Sequence, residues 1–237
     1  MIKDRLYTLV LKREEALGVY TLFCAPVGRK KHFNFIPGQF VMIHLPESGF
    51  GKRGRAYTLT SLPEDEHLSF AIKRIGPFSN TLGDLKVGQR LAISGPFGSF
   101  FPTTEATRIV CIAGGIGVTP FLTVIKGLLK THRDGVQITL FYSNKTKKDI
   151  AFFDELNAFQ ERAPWLSVVF VLTREKVVHP RIKEFKRMTV RTLSRYLKTL
   201  RNRYYYVCGS AEFNGGMVRK LIAARVNARR IHTETFF

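Results

Sequence analysis

The hydrophobic pattern changes its period once along the chain, and that change limits the fold more than any single residue does. Up to about residue 101, apolar residues alternate with polar ones in short runs, at 7–11, 20–25, 39–45, 56–60, 68–74 and 90–94. Turn formers separate the runs: Pro37-Gly38, the glycine-rich stretch 46–54, Pro63-Glu64-Asp65 and Val87-Gly88. A period of two is that of a strand with one buried face. Six such strands at this spacing predict an antiparallel β-barrel, with room for one helical turn over 80–85. From Arg108 onward, strands at 109–113, 137–142, 168–173 and 204–208 alternate with helical patterns at 120–131, 150–161, 190–200 and 213–224. A last strand at 231–236 would make five. A βα series of this kind implies a parallel sheet covered by helices on both faces. The break falls in the Gly/Pro/Thr stretch 98–104, so the chain divides into 1–101 and 102–237.

A length of 237 residues with 45% hydrophobic residues is enough for two domains with cores of their own. The three cysteines, Cys24, Cys111 and Cys208, form neither a disulfide framework nor a metal site, and cannot supply a four-cysteine iron–sulfur cluster. They point to a reducing compartment, hence the cytoplasm. The amino-terminal stretch, charged at Lys3, Asp4 and Arg5, lacks the apolar core of a signal peptide. The longest apolar run, 109–125, is shorter than the roughly 20 residues needed to span a bilayer, and Gly114, Gly115, Gly117 and Pro120 interrupt it. The formal charge is +20, and residues 174–230 hold 16 Lys or Arg against 3 acids. Such a face attracts acidic proteins, anionic lipid surfaces or nucleic acid. Because the positives are spread along a regular strand–helix pattern, no nucleic-acid module is expected.

Three segments carry chemistry. In Arg55-Ala56-Tyr57-Thr58-Leu59-Thr60-Ser61, Arg55 and Tyr57 share one face of a strand. A guanidinium suits a phosphate, an aromatic ring suits a planar ring system, and the Thr58 hydroxyl can donate or accept. Together they fit a flavin dinucleotide, although an ordinary amphipathic strand would look similar. In Gly114-Gly115-Ile116-Gly117-Val118-Thr119-Pro120, a glycine-rich turn links the first strand of the βα series to a helix, a place where backbone N–H groups receive phosphate. Pro120 stands where the usual dinucleotide fingerprint has a third glycine, and it suits a first helical turn. In Gly76-Pro77-Phe78-Ser79-Asn80-Thr81-Leu82, the amides of Ser79 and Asn80 and the Ser79 hydroxyl could form a second phosphate cradle.

In order along nearly the whole chain, these motifs resemble those of the ferredoxin–NADP reductase family. Further matches are Pro37-Gly38-Gln39-Phe40, the turn 95–100, the segment 141–150, Val207-Cys208-Gly209-Ser210 and the terminal Glu234-Thr235-Phe236. The resemblance implies an FAD-binding barrel, an NAD(P)-binding α/β domain, and a flavoprotein reductase. Such an enzyme passes hydride from NADH or NADPH to flavin N5, and then electrons to a separate acceptor. It implies that Arg55 binds the FAD pyrophosphate, that Tyr57 stacks on the flavin and that Thr58 bonds near N5, with Ala56, Ile72, Lys73, Gly76, Phe78, Ser79, Asn80 and Thr81 as further contacts. Gly114, Gly115, Gly117, Thr119, Pro120, Ser143, Asn144, Asp149, Thr173, Arg174 and Gly209 are assigned to the nicotinamide coenzyme. Cys208 is placed near nicotinamide C4 and Phe236 over the flavin or the nicotinamide pocket; Thr58, Cys208 and Glu234 are the implied catalytic set.

The coenzyme cues conflict. Asp149 lies where relatives that prefer NADH tend to carry an acid, whereas Thr173-Arg174 resembles a pair found with NADPH. A carboxylate would repel a 2′-phosphate, which tips the expectation to NADH. The basic second half suggests an acidic redox partner, a ferredoxin or flavodoxin. The alternatives are an electron-transfer subunit of a larger redox complex, a non-enzymatic nucleotide-binding subunit, and a basic protein with weak membrane-surface or RNA contact. Oligomeric state is not legible.

Overall fold

The computed structural model describes residues 4–28, 31–46, 49–50, 53–131 and 134–236. Lys3 and positions 47, 48, 51 and 52 of the expected 46–54 turn lie outside the described residues. The alternating runs form β1 (Arg5–Ala16), β2 (Val19–Pro26), β3 (Phe40–His44), β4 (Arg55–Thr58), β5 (Leu68–Lys73) and β6 (Arg90–Phe97). Their order is β4-β3-β6-β1-β2-β5, with every pairing antiparallel. The two outer strands meet where Leu59 bridges Phe70 and the Thr60 N–H donates to Ser69 O at 2.7 Å, which closes the barrel. Alternation does what the sequence predicts. Tyr7 and Leu9 are fully buried while Leu6 stays about half exposed, and a shift in register between Leu9 and Leu11 turns Leu11 outward as well. Burying such side chains is worth about 1.5–3 kcal/mol each. The expected helical turn is longer than anticipated and forms α1 (Pro77–Asp84), with proline at its start.

The second pattern gives β7 (Arg108–Gly114), α2 (Thr119–Thr131), β8 (Gln137–Asn144), α3 (Phe153–Arg162), β9 (Leu166–Leu172), β10 (Ile182–Phe185), α4 (Val190–Tyr196), β11 (Tyr204–Gly209), α5 (Ala211–Ala223) and β12 (Ile231–Thr235). All pairings are parallel, in the order β10-β9-β8-β7-β11-β12. The sheet thus has six strands, one more than the sequence suggested, because β10 extends its edge. On the central strand β7, Ile109, Cys111 and Ala113 face a core shared with α2 and α3. Val110 and Ile112 face a core shared with α4 and α5. The strand order reverses beside β7, so its carboxyl end is the switch point at which sheets of this kind hold ligands.

The two units share a seam. Val19, Ala71 and Phe100 of the first join the α2-side core of the second. The Thr123 hydroxyl on α2 donates to Leu59 O, and Lys126 Nζ, also on α2, donates to Thr60 O at 3.2 Å. The chain just past Thr58 is therefore tied to the helix that follows the glycine turn. Among the described residues no helix is long and apolar enough to cross a membrane.

Candidate functional site

The flavin-side residues converge as the alternation requires. Arg55 and Tyr57 both reach the Phe78 ring on α1: the Arg55 guanidinium lies 5.8 Å above it, and Tyr57 stacks at 6.5 Å and 23°. Burial pushes the Tyr57 phenol up to about 12, with the Arg55 charge opposing it, so it stays protonated. Thr58, one residue on, points to the other side of the strand, and its hydroxyl is buried with no hydrogen-bond partner among the described residues. An orphaned buried hydroxyl costs about 1–3 kcal/mol, and a bonded flavin edge would remove that cost. The barrel side therefore fits FAD.

The α1 turn differs in detail from expectation. The Ser79 hydroxyl accepts from the Ile75 and Gly76 amides at 3.1 Å each and donates to Gly76 O at 3.1 Å. The Asn80 N–H donates to Gly76 O at 2.9 Å. Of the three expected phosphate donors, the Ser79 hydroxyl and the Asn80 amide are thus occupied at the start of the helix. The Phe78 and Ser79 amides, in the first turn and without a carbonyl behind them, are the donors that remain. Asn80 is exposed and Thr81 half-buried, while Ile72 is fully buried in the barrel core, so any cofactor contact it makes is through its backbone. Arg55 and Ala56 are exposed.

A cleft of about 1000 Å³ opens at the carboxyl ends of β7, β8 and β9. It brings together Gly114, Gly115, Ser143, Asn144, Asp149, Thr173 and Arg174, with Lys73 reaching in from the barrel. The glycines divide by role. Gly115 has φ +54° and open space where a Cβ would stand, so it faces the cleft. A Cβ on Gly117 would lie 2.3 Å from Cys208 O, so that glycine makes room for the end of β11 rather than for phosphate. Gly114 and Gly209 make room for the Phe213 ring, which a Cβ would meet at 3.0 and 2.8 Å. Thr119 and Pro120 are buried in the first turn of α2, the Thr119 hydroxyl donating to Ile116 O at 3.2 Å. Gly117, Thr119, Pro120, Cys208 and Gly209 do not line the cleft among the described residues.

At the far end of the cleft, Asp149 Oδ2 accepts from the Thr146 amide at 2.9 Å and the Thr146 hydroxyl at 2.7 Å, capping the short turn Lys147–Asp149. The Thr173 amide and hydroxyl both donate to Asn144 O, at 2.9 and 3.2 Å. Sequence reasoning missed the wall supplied by α5 and the loop before α4. Arg187, Phe213, Arg219 and Lys220 line it, and Ser210 caps α5 by accepting from the Phe213 amide at 3.3 Å. The basic excess in 174–230 was the available signal.

Beside the cleft, Cys208 and Glu234 are neighbours in register on β11 and β12. Cys208 is fully buried; burial first, and then the Glu234 charge, pushes its thiol up, so it is not a thiolate. Burial pushes Glu234 up to about 7, and its Oε2 has no partner among the described residues. Asn214 Nδ2 pins this end by donating to Glu234 O at 2.8 Å and Thr235 Oγ1 at 3.1 Å. The Phe236 N–H donates to Gly209 O at 3.1 Å, which sets its ring against the α2-side core.

Comparison with known proteins agrees with both halves. The family described as "Oxidoreductase FAD-binding domain" matches residues 9–101, and that described as "Oxidoreductase NAD-binding domain" matches 111–219. The 3-ketosteroid-9-alpha-monooxygenase ferredoxin reductase component of Mycobacterium tuberculosis is 29% identical over 210 residues, 87% of this chain and 56% of that protein. Methane monooxygenase component C of Methylosinus trichosporium is 37% identical over 147 residues, 60% of this chain and 42% of that protein. This chain thus spans about half the length of these curated relatives. Among solved structures, the FAD/NAD-binding domain of nitric oxide dioxygenase from Vibrio cholerae superposes with a TM-score of 0.88 at 24% identity, covering 99% of both chains. From barrel, sheet, cleft and matched domains together, the chain belongs to the ferredoxin–NADP reductase superfamily, an FAD-binding domain followed by an NAD-binding domain.

Proposed function

We propose that this protein is a reductase that takes hydride from a nicotinamide coenzyme and delivers electrons to a separate acidic redox protein, a ferredoxin or flavodoxin. Bound FAD would supply the conversion between a two-electron donor and one-electron acceptors. The observation that carries the reading is the Thr58 hydroxyl, buried without a partner on the strand that holds Arg55 and Tyr57 against α1. Arg55 and the Phe78 and Ser79 amides would hold the FAD pyrophosphate, Tyr57 would cover the flavin, and Thr58 would bond its reacting edge. Gly115 would let the coenzyme backbone approach. Glu234, poised near 7 beside Cys208, would hold or release a proton at the seam. We keep 1–101 as the FAD unit and 102–237 as the nicotinamide unit. The three buried free cysteines accord with a reducing, cytoplasmic setting.

The coenzyme we infer is NADPH, which revises the leaning to NADH. That leaning rested on Asp149, and one of its oxygens is committed to Thr146. Lys145, Arg174, Arg187, Arg219 and Lys220 line the same cleft and outnumber Asp149 and Glu212. Arginine forks suit a 2′-phosphate. The test is the absorption spectrum of the purified protein, before and after anaerobic NADPH or NADH. A flavin band bleached faster by NADPH is expected. A protein with no flavin band would sink the enzyme reading, and a kcat/KM favouring NADH would sink the coenzyme assignment. An acidic acceptor also requires that its reduction slow as salt is added; a flat response would remove it.

A further inference from the structure

At the opposite end of the parallel sheet from the coenzyme cleft, four arginines surround a small cavity. Its volume is about 210 Å³, and its walls are the loop 200–203 before β11 and the loop 225–230 after α5. Arg201, Arg203, Arg225 and Arg230 line it together with Asn202 and Asn227, and no acidic residue does. None of the four arginines has a carboxylate within 4.0 Å among the described residues. The cavity lies at the amino end of β11, whose six residues span about 17 Å to Gly209, so it is no extension of the cleft.

Two of the guanidiniums are held in place. Arg203 Nε donates to Thr199 O at 2.7 Å, leaving its outer nitrogens free to turn to the cavity. Arg230 lies 5.2 Å over the Tyr204 ring. The third observation is backbone. Arg225 follows the end of α5 at φ +61°, with its amide donating to Ile222 O at 2.8 Å and the Val226 amide to Leu221 O at 3.0 Å. This is the left-handed position that closes a helix, where glycine is the easy residue. The chain carries a long cation there at a backbone cost. Attraction to the negative end of α5 accounts for a single cation at that turn. It does not account for Arg201 and Arg203, which come from the loop before β11, or for Arg230, five residues farther on beside β12.

We propose that this cavity is a second anion site, one that binds a phosphate-bearing group. Guanidinium forks match phosphate oxygens in pairs, and converging arginines gain most from a ligand of two or more negative charges. The size limits the ligand. A volume of about 210 Å³ holds about seven water molecules at ~30 Å³ each. That admits a diphosphate or the phosphate-bearing end of a small molecule. The source of the group is either a free phosphorylated compound or the headgroup of an anionic lipid.

The test is calorimetric titration of the full chain with inorganic pyrophosphate. The R203Q/R230Q variant should bind about tenfold more weakly or worse, while R174Q/R219Q, altered in the cleft, keeps the high-affinity phase. R225G separates binding from folding. Glycine suits the backbone at this position, so its Tm should hold or rise while pyrophosphate binding weakens. Co-sedimentation with phosphatidylcholine vesicles containing phosphatidic acid distinguishes the sources. Loss of vesicle binding in R203Q/R230Q assigns the site to a headgroup, and equal vesicle binding beside a lost pyrophosphate phase assigns it to a free ligand. Pyrophosphate affinity equal in wild type, R203Q/R230Q and R225G overturns the proposal, as does an absence of saturable binding in the wild type.

Discussion

Thr58 and Glu234 each bury an oxygen that finds no partner among the described residues, and the two respond to change in opposite ways. The Thr58 hydroxyl costs the protein free energy until something bonds it. In T58V that penalty goes while the shape is kept, so the variant without FAD should melt at the same temperature as wild type or above it. With FAD, reduction by the coenzyme should slow about tenfold or more, the usual scale for losing one well-placed hydrogen bond to a reacting group. Stopped-flow bleaching and a thermal melt of the two forms decide it; a variant destabilised without FAD and unchanged with it would contradict the assignment. Glu234 is an acid whose burial pushes it up to about 7. The folded chain therefore holds that proton more tightly than the unfolded chain does. The resulting stabilisation is complete below the ordinary carboxylate range, is lost as pH rises toward about 7, and changes no further above it. E234Q is neutral throughout, so its stability should vary less than wild type across that window. Denaturant midpoints between about pH 4 and about pH 8 measure this, and identical slopes would argue against a buried, protonatable Glu234.

At the scale of elements, the glycine turn shows what a sequence can and cannot tell. Its position, between the first strand of a βα series and a helix, was legible because period and glycine content change together there. The division of labour among its glycines was not, since it depends on β11, which is remote in sequence. Gly117 would drive a Cβ to 2.3 Å from Cys208 O, a backbone atom that cannot rotate away. Gly115 has open space and only its φ of +54° to object. G117A should therefore cost about 3 kcal/mol or more, and G115A about 1 kcal/mol. Equal losses in a urea titration would refute the packing role. The missed strand β10 has a similar cause. Of Ile182, Lys183, Glu184 and Phe185, the buried Glu184 reads as a surface charge, yet Arg195 Nη1 at 2.6 Å and the Tyr196 hydroxyl at 3.0 Å satisfy it from α4. Pairings supplied by another element are invisible to a local pattern. The same holds for α1, where the Ser79 hydroxyl looked like a free phosphate donor and caps its own helix. The flavin strand was read more fully, because Arg55 and Tyr57 share a face by backbone geometry alone.

For the molecule as a whole, the two cofactor regions are coupled through one helix. α2 begins at the glycine turn by the coenzyme cleft, and from its middle Lys126 reaches Thr60 O at 3.2 Å, two residues past Thr58, and Glu155 on α3 at 3.0 Å. The flavin strand and the coenzyme cleft are thereby fixed to a common rod, with the Thr123 hydroxyl holding Leu59 O as a second tie. Both units have cores that do not depend on Lys126, so K126M should still bind FAD and coenzyme with nearly unchanged affinity. What it removes is the registration of one site on the other. Hydride transfer needs the reacting atoms about 3–3.5 Å apart, and a misplacement near 1 Å can cost about 100-fold. A loosened seam should show as a fall in kcat of about tenfold with KM little altered. Thr58→Val would also lower the rate. It would do so without loosening the seam, whereas K126M should raise hydrogen exchange at the amides of 58–60 and along α2. A K126M variant whose KM rises while kcat and exchange stay at wild-type levels would mean that Lys126 serves binding, and that the seam is held by its apolar contacts around Phe100.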